Sequence, residues 1–220
     1  MVNEELRHEL LAMRDEDLTV REELLKANQL GGPYQPRMEA IHVKNPERLK
    51  ELIVKHGWPS EDLAGPDGAE AAWLIAQHSI GEPSFVRHVL QLVRAEAEQK
   101  RVPAWHAAYL EDRIALFEGR PQRYGSQWID DPRDGLARPW TLAYPDRVNE
   151  LRKNVGLKPL APLPPPGLEV DPKVRQKDEA EPPVVARLAG RARLTQFKRP
   201  DVTPILSHGT GCLRSSLYLP

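Results

Sequence analysis

Pro103-Ala104-Trp105-His106-Ala107-Ala108-Tyr109-Leu110-Glu111-Asp112-Arg113-Ile114-Ala115-Leu116-Phe117 sets Trp105, Tyr109, Leu110, Ile114 and Phe117 near one face of a helix that a proline opens. Gly119-Arg120-Pro121-Gln122-Arg123-Tyr124-Gly125-Ser126-Gln127-Trp128 follows and cannot continue it. Its glycines and proline fix a particular backbone path, and its amides and guanidinium groups have fixed donor and acceptor directions. A helix delivering a polar loop that presents groups, rather than merely connecting elements, is the unit from which the fold is read.

Working outward, the same periodicity recurs. Residues 3–29 carry Leu6, Leu10, Leu11, Leu18, Leu24 and Leu25 at helical spacing, with a break expected near Asp15-Glu16-Asp17 and a stop at Gly31-Gly32-Pro33. Asn45-Pro46 reads as a helix cap and first turn, followed by a stripe of Leu49, Leu52, Ile53 and Val54 that Gly57 and Pro59 end. A third helix is expected from about Asp67 through Trp73, Leu74 and Ile75 to about Gly81, and a fourth from Pro83-Ser84 with Phe85, Val89, Leu92 and Val93 on its face. Asp146 to Val155 gives one more, with Gly156 at its C-terminal cap. Sheet-like alternation is missing, apart from room for a small hairpin between Arg120 and Trp140. The expected fold class is all-α: a compact bundle of five to six short helices with a polar Gly/Pro-containing loop.

Beyond Leu160 the character changes. Pro162, Pro164, Pro165 and Pro166 precede a mostly charged stretch from Asp171 to Glu181, which cannot bury enough apolar surface to offset its ordering entropy. The expected division is a helical domain over 1–162 and a disordered Pro-rich tail over 163–220. Weak helical potential returns around Val184 to Phe197. The end of the tail, Ser207 to Ser216 with His208 and Cys212, is a peptide substrate or docking segment if it has a function at all, and an inert extension otherwise.

Charge and composition narrow the function classes. Thirty-one Lys and Arg against 32 Asp and Glu give no field of one sign, so neither nucleic acid nor an anionic membrane is expected as a partner. No secretory leader and no apolar run near the ~20 residues of a membrane span are recognised, and one cysteine excludes a disulfide framework or a cysteine-rich zinc site. A cytoplasmic setting is expected. His42, His56, His88 and His106 lack metal-ligand spacing, so no metal is assigned and no cofactor is identified.

The candidate chemical groups come from two stretches of sequence, the end of the third helix and the fifth helix with its 122–127 loop, which are expected to face one common site. His78 follows Gln77 at the end of the third helix, where an imidazole commonly caps carbonyls but can also serve as acid or base. Asp112 and Arg113 diverge by about 100° on the fifth helix, which suits Asp112 to orient a histidine or fasten the following loop while Arg113 holds an anion. Within the loop, Tyr124 is a proton donor, and Gln122, Ser126 and Gln127 are polar substrate contacts or satisfy buried backbone. The catalytic candidates are therefore His78, Asp112 and Tyr124, and the substrate-binding ones Gln77, Arg113, Gln122, Ser126 and Gln127. The expected ligand is small and polar, or a peptide. Whether the chain is an enzyme or a binding protein in which these groups are structural stays open at this point.

Gly57-Trp58-Pro59, Ala72-Trp73-Leu74-Ile75-Ala76-Gln77-His78, Tyr109-Leu110-Glu111-Asp112-Arg113 and the 119–127 loop occur in an order that resembles an uncharacterised bacterial family, a domain of unknown function. That family is marked by a Gln-His helix and a Gln-x-Tyr-Gly-Thr-Gln loop, and Arg147 to Leu157 resembles its closing helix. The resemblance spans roughly residues 40–160. Ser126 stands where the family has threonine, keeping the hydroxyl, and Ile80 stands where it has aspartate. The resemblance implies a shared site without naming a reaction.

Overall fold

A computed structural model describes residues 2–29, 34–130 and 137–160. It consists of α1 (Glu4–Lys26), α2 (Pro36–His56), α3 (Glu61–His78), α4 (Pro83–Glu98), α5 (Ala104–Phe117), β1 (Trp128–Asp130), β2 (Ala137–Pro139) and α6 (Val148–Asn154), the last entered through a 3-10 turn at Pro145–Arg147. The all-α expectation holds. The two short strands pair antiparallel, Ile129 opposite Arg138, as the small hairpin for which the sequence left room. The tail, with Cys212, His208 and the 184–197 segment, lies outside the described residues.

α3 is the axis of the bundle. From Ala71 to His78 every residue is buried, because α1, α2, α4 and α5 all pack against it. A helix covered all round must be apolar or small all round, and Ala71-Ala72-Trp73-Leu74-Ile75-Ala76 fits that demand. α4 by contrast turns one stripe inward, Phe85, Val86, Val89, Leu90 and Val93. The core these helices share is continuous from Leu6 to Ile114.

Three local expectations are corrected. α1 runs unbroken through Asp15-Glu16-Asp17, since Asp17 continues the buried stripe of Leu6, Leu10 and Met13 and finds partners inside. α2 starts nine residues before Asn45-Pro46, at Pro36 in its first turn. Asn45 is not a cap there: it is buried, and its Nδ2 donates to the Met13 carbonyl at 3.2 Å, fixing α2 to α1. Val54 is 89 % exposed and belongs to no stripe. α3, expected from about Asp67, has a short turn ahead of a break at Gly65 (φ 74°), after which Pro66 and Asp67 begin the main helix. Asp67 caps its own next turn through Gly68 N–H and takes a two-point hydrogen bond from Arg7 at 2.8 and 2.7 Å.

Candidate reactive centre and the loop hub

Asp17, His42 and His78 come from three different helices, yet their polar atoms lie within 4.8 Å of one another. Each occupies the inward stripe of its own helix: Asp17 four residues after Met13, His42 four after Met38, His78 four after Leu74. Packing α1 and α2 against α3 therefore brings them together. His78 Nδ1 donates to Asp17 Oδ2 at 2.8 Å, and His42 Nε2 donates to the same oxygen at 3.1 Å. Tyr34, just ahead of α2, places its hydroxyl on His42 Nδ1. The two imidazole rings are 5.0 Å apart, tilted by 47°.

The protons in this chain follow from chemistry. Burial opposes charge on Asp17, but the imidazoles, His78 foremost, outweigh it and hold the carboxyl far below the usual range. Burial pushes His78 down against the pull of Asp17, and the charge of Arg113 adds to the push. The pair is thus an ionised carboxylate accepting from neutral imidazole, rather than two full charges. Burial, then the charge of Asp17, holds the Tyr34 phenol protonated, so it donates to His42. With Nδ1 committed to Asp17, His78 keeps Nε2 as its basic position. Asp17 Oδ1 is buried and has no partner among the described residues.

One residue back from His78, Gln77 is fully buried and accepts from Arg113 Nε at 3.2 Å, while its own Nε2 has no partner among the described residues. Arg113 is 6 % exposed, and among the described residues no carboxylate stands within ion-pair distance of it. Burial alone moves its guanidinium down to about 10, which still leaves it charged at neutral pH. An unpaired buried cation is costly and calls for a counter-ion.

The loop forms a second polar assembly, on the other side of α5. Asp112 is completely buried and accepts from the N–H groups of Arg123 (2.7 Å), Tyr124 (3.1 Å) and Ser126 (3.0 Å) and from the Ser126 hydroxyl (2.9 Å). Burial raises the Asp112 carboxyl, and these bonds pull it back. Gln122 acts in the same way: its Nε2 donates to the carbonyls of Gln127 (2.9 Å) and Trp140 (2.8 Å), and its Oε1 accepts from Gln127 N–H (2.8 Å). Gln127 Nε2 donates to Ser126 Oγ at 3.0 Å. The Tyr124 ring packs with Ala108, Leu151 and Leu157, and its carbonyl accepts from Arg152 Nη1 at 2.8 Å. Gly125 takes φ 67°, and a Cβ there would come within 2.8 Å of Leu160 Cδ1. Both demands are met by glycine.

The candidates named from the sequence therefore divide. His78, Gln77 and Arg113 are brought together. Asp112, Gln122, Ser126 and Gln127 form the loop hub, where Asp112 fastens the loop, and the carboxylate that orients His78 is Asp17. Asp17 and Tyr34 were not singled out from the sequence, and His42 was set aside there for lack of metal-ligand spacing. The available signal was an acid at a core position of an otherwise apolar stripe, masked by its neighbours Asp15 and Glu16. No helix among the described residues is long and apolar enough to cross a membrane. In comparison with known proteins, residues 4–163 match a family of unknown function, DUF6624. No curated protein and no solved structure matches.

Proposed function

This chain belongs to the DUF6624 family of unknown function, and we propose that it is a small helical enzyme acting on a polar, anionic substrate. Arg113 and the free Nε2 of Gln77 hold the anionic end. His78, oriented through Nδ1 by Asp17, meets the reacting group with Nε2 and moves a proton there. The loop hub, with Tyr124 at its edge, keeps α5 and hence Arg113 in place. The observation that carries this reading is a buried guanidinium with no carboxylate partner among the described residues, next to an Asp–His pair. A purely structural arginine at that burial is expected to have a counter-ion.

The test uses thermal shift with carboxylate, phosphate and amide-bearing metabolites on the wild type, Arg113→Met and His78→Gln. Wild type should gain several degrees with at least one anionic class. Arg113→Met should lose that response while its own melting temperature stays level or rises, because an unpaired buried charge has been removed. His78→Gln should keep anion binding and lose turnover. A large drop in melting temperature for Arg113→Met, with no anion response in the wild type, would favour the second reading, a non-catalytic binding protein in which these groups are structural. The fully satisfied Asp112 hub is the observation on that side.

A further inference from the structure

We propose that Asp17, His42 and His78 form a binding site for one divalent first-row transition ion, with zinc as the reference metal. The inference rests on the preceding section for the identity of the cluster; with an ion on His78 Nδ1 the ring proton sits on Nε2, and His78 meets the reacting group as a proton donor. Two imidazole nitrogens and one carboxylate are a donor set that suits zinc and its neighbours, and lacks the all-oxygen character that magnesium or calcium prefer. Ligands about 2.0–2.1 Å from such an ion sit about 3.0–3.4 Å from each other. Here Asp17 Oδ2 lies 2.8 Å from His78 Nδ1 and 3.1 Å from His42 Nε2, within a few tenths of an ångström of that spacing, and all three ligand atoms lie within 4.8 Å of one another.

Three further features point the same way. The buried Oδ1 of Asp17 has no partner among the described residues, which leaves a second carboxylate oxygen available to the ion. The Tyr34 hydroxyl sits on the far nitrogen of His42, where, with an ion on Nε2, its oxygen would accept from Nδ1–H and orient the ligand ring. All three donors project from long helices whose faces are locked by the core, so the geometry is set before any ion arrives. Each neutral imidazole now turns its N–H towards Asp17, so an ion on His78 Nδ1 and His42 Nε2 would shift each ring proton to the opposite nitrogen, without net proton release.

The experiment is zinc titration of the chelator-treated full chain by calorimetry, with metal content of the purified protein measured beside it. One ion per chain with a dissociation constant at or below the micromolar range is expected. Asp17→Asn, His42→Ala and His78→Ala should each weaken binding by 100-fold or more, and Tyr34→Phe by about 10-fold. Cobalt(II) in the wild type gives a readout that needs no variant to fold: visible bands of nitrogen and oxygen ligation without a thiolate charge-transfer band. No stoichiometric uptake by the wild type, or uptake that survives all three ligand substitutions, overturns the site. Zinc binding without any anion response would sink the proposed function and leave the metal site standing. Anion binding by a protein that takes no zinc would do the reverse.

Discussion

Two buried polar assemblies meet α5 at consecutive residues, Asp112 and Arg113, and differ in one respect. Around Asp112, both carboxylate oxygens are used by the loop: three backbone N–H groups and one hydroxyl converge on them. Around Asp17, Oδ1 has no partner among the described residues, nor has Gln77 Nε2, and the Arg113 charge has no carboxylate within ion-pair distance among them. Buried polar groups are almost always satisfied, so leftovers carry more information than completed networks. The completed hub explains how a polar loop is held, and the incomplete one is where the proposed ligand site lies. Motif richness in the sequence points first to the loop. Satisfaction in the structure points to the helix ends.

That contrast can be broken, and the largest effect is expected at the hub. Asp112→Ala strands the donors of the loop and should cost about 3–5 kcal/mol, lowering the melting temperature by about 10 °C and exposing residues 122–127 to protease. An Asp112→Ala protein that melts like the wild type would show that the hub is not structural. A smaller, pH-dependent effect is expected at His106, stacked on Trp73 at 5.0 Å and edge-on to Trp105 at 4.2 Å, with neither ring nitrogen partnered among the described residues. Burial lowers its pKa from 6.5 to about 3. The unfolded chain therefore takes up a proton that the folded one refuses, so stability is full above about 6.5 and declines as the pH falls towards about 3. The slope is about 1.4 kcal/mol per pH unit, measurable by denaturant melts at pH 7, 6 and 5 and reduced in His106→Phe. The smallest effect is expected at Lys44, whose exposed pair with Glu16 spans the same α1–α2 seam as His42 and Asp17. Lys44→Ala should cost less than about 1 kcal/mol in the same melts, sharpening the point that the seam depends on its buried part.

Much of the fold was legible in the sequence because helical periodicity is local. Leu6, Leu10 and Met13, or Phe85, Val89 and Val93, declare an inward face without reference to the rest of the chain. The start of α2 was hidden because Asn45-Pro46 has the chemistry of a helix start, while the Asn45 side chain is spent on Met13, 32 residues away. The site was legible by half for the same reason. Gln77, His78 and Arg113 stand in recognisable motifs, but the partner of His78 lies 61 residues earlier, among acids that look like a solvated surface. A tertiary pairing of that span leaves no spacing rule in a single sequence.

The family match reaches back to residue 4 and so takes in the first helix, well ahead of the motifs near Trp73 and Tyr124. A shortened chain that began at Pro36 would retain every one of those motif residues and still lack Asp17. Its two imidazoles would face each other with no carboxylate between them, and α3 would lose one of the four helices that cover it. Dissection of this protein should therefore keep its opening 26 residues, which supply the carboxylate of the Asp17–His42–His78 cluster.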